Sequence, residues 1–341
     1  MNVEQRWLAM FAEVIGRCGV NSGDACAVLA ETQSRPVLVQ LASLALQQLG
    51  AASFVVTLPT PPVTTPVPVR STGASMALGG QDAAVAALAR CTLVVDCTVE
   101  GIQHAAQLPA ILGGGARVLV VSNEHPEILE RCLPRAEDEA QAREAMRRLK
   151  AARRMQVQSR AGTDLSIDLA GARIGGVWGF TSKPGTLTHW PGGLVLAFPA
   201  PGTVAGTLVL DRGDVNLTFK RYLTDPVRLV IADDHVVYVA GDSPDAEMMR
   251  GHFAAWGERA AYAVSHVGWG LNARARWDAM AFYDKADFNG TELRAFAGNF
   301  LYSTGANEVA GRHTAGHFDL PLRGCTVELD GQAVVVEGRL V

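Results

Sequence analysis

No CxxC pair, no long uninterrupted apolar run and no excess of positive charge occurs in these 341 residues. Each absence removes a class of protein. The six cysteines (Cys18, Cys26, Cys91, Cys97, Cys132 and Cys325) lie far apart. That spacing offers neither a zinc ribbon nor a disulfide framework, so buried free thiols in a reducing compartment, the cytoplasm, are expected. A helix that crosses a bilayer needs about 20 consecutive apolar residues, which this chain lacks. The opening MNVEQRWLAMFAEVIGRCGV is interrupted by Glu4, Arg6 and Glu13, so it reads as an amphipathic helix and not as a signal peptide. Thirty basic residues against 34 acidic ones leave a net charge of -4. No positive field is available to hold nucleic acid. No GxGxxG follows a strand candidate. Gly113-Gly114-Gly115 instead precedes one, which suits the end of a helix better than a phosphate cradle.

Aromatics are almost absent from the first part of the chain. Of 22 Phe, Trp and Tyr residues, only Trp7, Phe11 and Phe54 precede residue 150. That part is rich in Ala, Val and Leu, and short apolar runs alternate with helical patterns. ACAVLAE (25–31), SFVVTL (53–58), TLVVDCT (92–98) and ARVLVVS (116–122) read as buried strands. PVLVQLASLALQQLG (36–50) and QDAAVAALARC (81–91) read as helices between them. This alternation predicts a Rossmann-like, open parallel α/β domain over residues 1–135. The proline-rich stretch 59–68 is a loop. EDEAQAREAMRRLKAARRMQVQSR (137–160) predicts a solvated linking helix, giving a linker over 136–160. Beyond it, DLSIDL, LVLAFP, AGTLVLD, VRLVIAD, HVVYVAG and TVELDG predict a mixed, mostly antiparallel α+β domain over 161–341. Ser243-Pro244 starts a helix over 244–260. The length itself suggests two domains, at about 150 residues each.

The chemistry must then lie among eight histidines and the carboxylates. In Gly316-His317-Phe318-Asp319, residues two apart on a strand share a face, so His317 and Asp319 present an imidazole and a carboxylate together. One distant histidine would complete a two-histidine, one-carboxylate site of the kind that leaves positions open on Fe(II). His266, in YAVSHVGWGLN (262–272), sits where a strand enters a glycine-rich stretch and is a candidate. His252 and His313 read as surface residues. His104 follows a predicted parallel strand, at the edge where open α/β sheets bind ligands. His189 lies in a loop with Trp190, just after Trp178 and Phe180. Each of these readings has an ordinary structural alternative, and spacing alone reaches no further than a two-domain metalloenzyme.

The whole chain resembles the aminopeptidase T-like metallopeptidases. The likeness is carried by GVNSGDACAVLAETQSRPVLVQLASLALQQLGA (19–51), STGANEVAG (303–311) and GHFDLPL (316–322). Where those peptidases hold metal with glutamates, this chain has Leu194 in HWPGGLV (189–195) and Leu301 in FLYSTGAN (300–307). Leucine cannot ligate a hard cation, so the altered set implies one metal. TVEGIQHAAQLP (98–109), LTHWPGG (187–193), SHVGWGLN (265–272), AGNFLYSTGAN (297–307) and HFD (317–319) are similar to one branch on that fold, the 2,5-dihydroxypyridine 5,6-dioxygenases. That resemblance implies Fe(II) held by His266, His317 and Asp319, with His104 and His189 serving the substrate. It also implies C5–C6 cleavage of 2,5-dihydroxypyridine by O2 to N-formylmaleamic acid. Trp178, Phe180, Trp190 and Trp269 are the expected apolar walls, and a homo-oligomer is the expected assembly. Two alternatives are a metallopeptidase with a rearranged metal site and a non-catalytic ring-binding protein.

Overall fold

The computed structural model describes residues 2–63, 74–287 and 289–341; residues 64–68 of the proline-rich stretch lie outside them. The N-terminal part is built on a five-stranded sheet in the order Ala52–Leu58, Ala25–Glu31, Leu93–Asp96, Arg117–Val120, Leu187–His189. All four pairings are parallel. Cys26, Val28, Leu93, Val95 and Leu119 face one way, onto helices Gln5–Arg17 and Pro36–Gln48. Ala27, Leu29, Val94 and Val118 face the other, onto helices Asp82–Leu88 and Leu108–Gly113. Burial on both faces explains why Ala25–Glu31, Leu93–Asp96 and Arg117–Val120 are continuous apolar runs without alternation; Ala52–Leu58, expected to be buried as well, is instead an edge strand with Phe54 and Val55 exposed.

The rest of the described residues form two main antiparallel sheets and a two-stranded one, Val215–Asn216 with Arg221–Tyr222. The larger runs His235–Ala240, Val227–Ala232, Val204–Leu210, Asp164–Asp168, Arg154–Ser159, Cys325–Leu329, Gln332–Val336, Arg339–Leu340. The smaller runs Phe318–Leu322, Phe300–Thr304, Val264–Gly270, Leu194–Phe198, Arg173–Val177. One core joins them, with Val157, Leu165, Leu208 and Leu229 from the first and Val195, Val267, Trp269, Tyr302 and Phe318 from the second. The expected architecture, a parallel α/β part followed by a mostly antiparallel part, is the one observed. The six cysteines are buried and free. Among the described residues no helix is long and apolar enough to cross a membrane.

Three further local expectations are corrected. The charged segment 137–160 is not one helix. The helix Ala136–Ala151 stops, and Arg154–Ser159 is a strand whose Met155 and Val157 point into the core while its polar residues alternate outward. The carboxylate of Asp330 accepts hydrogen bonds from the amides of Arg153 and Arg154, fixing the turn between them. Second, Leu187–His189, read as a loop, is the last strand of the parallel sheet; three residues are too few for a periodicity to show. Third, His252 is 2% exposed. It lies on the inward face of helix Pro244–Trp256, against Phe318 and Phe219, and accepts a hydrogen bond from the Trp256 indole. Burial pushes its pKa down to about 4.

Candidate metal centre

Three strands of the smaller antiparallel sheet set out a row of side chains. His266 on Val264–Gly270 is paired with Ser303 on Phe300–Thr304, and Ser303 with Asp319 on Phe318–Leu322. Residues directly opposed in an antiparallel pair project from the same face, so His266, Ser303 and Asp319 stand side by side. His317, two residues before Asp319, joins them. Its Nε2 is 3.1 Å from Asp319 Oδ1, and His266 Nε2 is 3.7 Å from the same oxygen. The possible ligand atoms of the three residues all lie within 4.8 Å of one another. All three side chains are buried.

The carboxylate is the best held of the three. Arg294 Nε donates to Asp319 Oδ2, and the Ser303 hydroxyl donates to Oδ1. Burial alone would push the Asp319 carboxyl up, but His317 and Arg294 beside it hold it well below the ordinary carboxylate range. The ring of His266 is held neutral. Burial outweighs the attraction of Asp319 and pushes the pKa of His266 down to about 3. The Ser265 hydroxyl donates its single proton to the carbonyl of Ala306, so toward His266 Nδ1, 3.0 Å away, it can only accept. Nδ1 therefore carries the hydrogen, and the Nε2 lone pair points toward Asp319.

The parallel sheet brings the remaining histidines to its C-terminal edge, where ligands bind in open α/β sheets. Asp96, the last residue of its strand, is fully buried and accepts hydrogen bonds from Thr98 and from the amide of Ile102. This fixes the loop that carries His104. The His104 ring lies 4.8 Å from that of His317 and 6.4 Å from that of His266, centroid to centroid. Burial, reinforced by these two rings, lowers its pKa well below the usual imidazole value. His189 ends the strand two places along the same sheet, beyond Arg117–Val120. Its Nδ1 lies 2.8 Å from the carbonyl of Pro191, which can only accept, so its Nε2 is left as an acceptor. Burial pushes this ring down to about 4, and it feels the charges of Arg294 and Asp319.

The expected aromatic walls are not at this site. Trp190 is buried among the N-terminal helices, 5.2 Å from Phe11, and its indole donates to the carbonyls of Leu129 and Cys132. Phe180 packs in the same cluster, edge-on to Trp178, and Trp178 lies under the guanidinium of Arg143. Trp269 is three residues from His266, hence on the opposite face of the strand, in the core between the antiparallel sheets. Among the described residues, Phe198 is an aromatic that does reach the trio, 5.4 Å from His266. Arg294, Ser265 and Ser303 were also missed. The strand pairing identifies Ser303; no spacing in the sequence marks Arg294. Gly268 and Gly270 do not form a loop. They are strand residues where a Cβ would come within 1.9 Å of the Val195 carbonyl and 2.1 Å of the Phe296 carbonyl. Leu194 and Leu301 are buried together with Ala295 beside the row, and supply no donor for a second cation.

The family model described as NicX, 2,5-dihydroxypyridine 5,6-dioxygenase, matches residues 6–341. This chain belongs to that family. It is 37% identical over 336 residues to a 2,5-dihydroxypyridine 5,6-dioxygenase of Pseudomonas putida KT2440, covering 97% of this chain and 95% of the relative. The solved structure of a 2,5-dihydroxypyridine dioxygenase from Pseudomonas putida KT2440 superposes with a TM-score of 0.93 at 36% identity, over 98% of this chain and 96% of that one. AmpT from Thermus thermophilus superposes with a TM-score of 0.67 at 15% identity, over 99% of both chains, and shows the shared fold. The two tautomers assigned above are open to direct measurement. In metal-free protein near pH 7, long-range proton–nitrogen NMR should show neutral His189 and His266, each protonated at Nδ1. A hydrogen on Nε2 of either ring would refute that assignment.

Proposed function

We propose that this chain is an Fe(II)-dependent dioxygenase that opens the C5–C6 bond of 2,5-dihydroxypyridine with O2, yielding N-formylmaleamic acid. The observation that carries the reading is the meeting of His266, His317 and Asp319 with His104, which arrives from the other half of the chain. The donor set fits a cation. A ring fixed with its lone pair toward an ionised carboxylate is electrostatically unfavourable, and a metal between them turns that repulsion into ligation. Two imidazoles and one carboxylate on one face suit Fe(II) and leave positions open for substrate and O2. Iron bound there would supply the Lewis acidity that favours loss of the 5-hydroxyl proton and the redox capacity through which O2 attacks a closed-shell ring.

The chain's own residues do the rest. His104 is neutral at pH 7 because it is desolvated, so it is ready to accept the 5-hydroxyl proton and return it later. The depressed value also means that its titration does not fall near neutrality, as an ordinary imidazole's would. His189 offers Nε2 as an acceptor and so binds a substrate donor, the ring N–H of the 2-pyridone form or a hydroxyl. Phe198 lies against His266 and contributes an apolar wall for a flat ring. Both atoms of O2 enter the product, so no external reductant is needed. The peptidase alternative is disfavoured by Leu194 and Leu301, which leave a two-metal site without its carboxylates. The buried free thiols suit the cytoplasm, where we place the enzyme.

Two outcomes follow. His266→Ala, His317→Ala and Asp319→Ala should each weaken iron binding by more than the roughly 10–100-fold typical of a residue that only supports a ligand. Plasma emission analysis of the purified variants measures this, and full iron occupancy in any one removes that residue from the ligand set. His104→Ala should keep its iron and lose about 10²–10⁴-fold in turnover. Near-normal turnover by the iron-replete variant would leave His104 without a role in proton transfer.

A further inference from the structure

Asp319 reaches back to the N-terminal half of the molecule through a short chain of contacts. Arg294, which donates to Asp319, belongs to the helix Thr291–Ala295. The start of that helix is not capped within its own half. Glu124, just beyond the parallel strand Arg117–Val120, is 0% exposed, and its two carboxylate oxygens accept the amides of Thr291, at 2.6 Å, and Asn289, at 3.2 Å. Asn289 adds a second tie. Its side-chain amide donates to the carbonyl of Ser122 at 3.2 Å, while its side-chain oxygen lies 3.5 Å from Arg294 Nη1. Residues 289–294 thus bracket the C-terminal edge of the parallel sheet to the carboxylate of the trio. That edge is also the one that presents His104 and His189.

We propose that Glu124 is a positioning residue: it fixes segment 289–294 and, through Arg294, the orientation of Asp319 and the alignment of the trio with His104 and His189. The physical reason is polarity. With Oδ2 of Asp319 occupied by Arg294, Oδ1 alone faces the two imidazoles, so a displaced Arg294 would leave the carboxylate anchored through the Ser303 hydroxyl on Oδ1 and able to turn about it. A buried carboxylate that accepts two amides cannot be replaced without leaving a donor unmet. The inference rests on the reading of Asp319 as a metal ligand.

The test is Fe(II) affinity by anaerobic equilibrium dialysis, with no turnover required. Glu124→Gln keeps one acceptor and turns an amide group on the second donor, and should weaken Fe(II) binding by about 10–100-fold. Arg294→Gln should do the same. The double variant should bind no more weakly than Arg294→Gln alone, because the first change acts through the second. Losses that multiply in the double variant, or wild-type affinity in a Glu124→Gln protein that is merely less stable, would overturn the proposal. If Glu124→Gln does not fold, Asn289→Ala removes a tie of the same segment without disturbing a buried charge. It must also weaken iron binding, and unchanged affinity there overturns the proposal equally. His266→Ala separates the two readings. Iron retained in it refutes the metal centre itself, whereas iron lost in it but held normally by Glu124→Gln refutes only the role given to Glu124.

Discussion

One buried negative charge organises this site. Asp319 is 5% exposed, and an isolated carboxylate in such a place would neutralise itself by taking up a proton. It does not, because Arg294, Ser303 and two imidazoles surround it. The arginine balances the charge on one oxygen, and the other is turned toward the histidines. Two imidazoles and one anion remain, pointed at a common centre from one sheet face. On the proposed reading that is a cation site, its geometry set by strand register, the most rigid positioning device a sheet has.

The two halves of the molecule contribute different things. The antiparallel sheet supplies the converging donors, and its glycines at 268 and 270 admit neighbouring carbonyls so closely that no side chain fits beside His266 on that face. The parallel sheet supplies His104 and His189 at its C-terminal edge. Neither half holds the whole constellation, so the chemistry depends on how well they are aligned. The leucines at 194 and 301 complete the arrangement by lining the adjacent space with hydrocarbon.

Much of the fold could be read from the chain because the central strands of its N-terminal half are doubly buried and its later strands alternate. ACAVLAE matches the observed strand Ala25–Glu31. Legibility failed where length or charge hid the pattern: three residues at Leu187–His189, and a strand at Arg154–Ser159 that continues a basic helix. At the site, His317 and Asp319 were marked by their spacing and His104 by its place beyond a strand end, whereas His266, read at a strand end, lies within the strand Val264–Gly270. The aromatic walls failed for a physical reason. Sequence proximity to His189 or His266 says nothing about face, and Trp190 and Trp269 each turn away into a core. Arg294 and Glu124 carried no signal, since a salt bridge or an amide clamp between distant segments exists only once the chain has folded.

The central claim is that a single iron in this buried trio makes the chain a ring-cleaving dioxygenase. The most direct measurement is oxygen uptake after anaerobic loading with Fe(II), using 2,5-dihydroxypyridine and isotopically labelled O2. The account predicts one O2 consumed per ring opened, both labelled atoms in N-formylmaleamic acid, and no uptake by the metal-free protein. A folded, iron-loaded protein that binds the ring but consumes no O2, or that hydrolyses leucyl peptides instead, would contradict it.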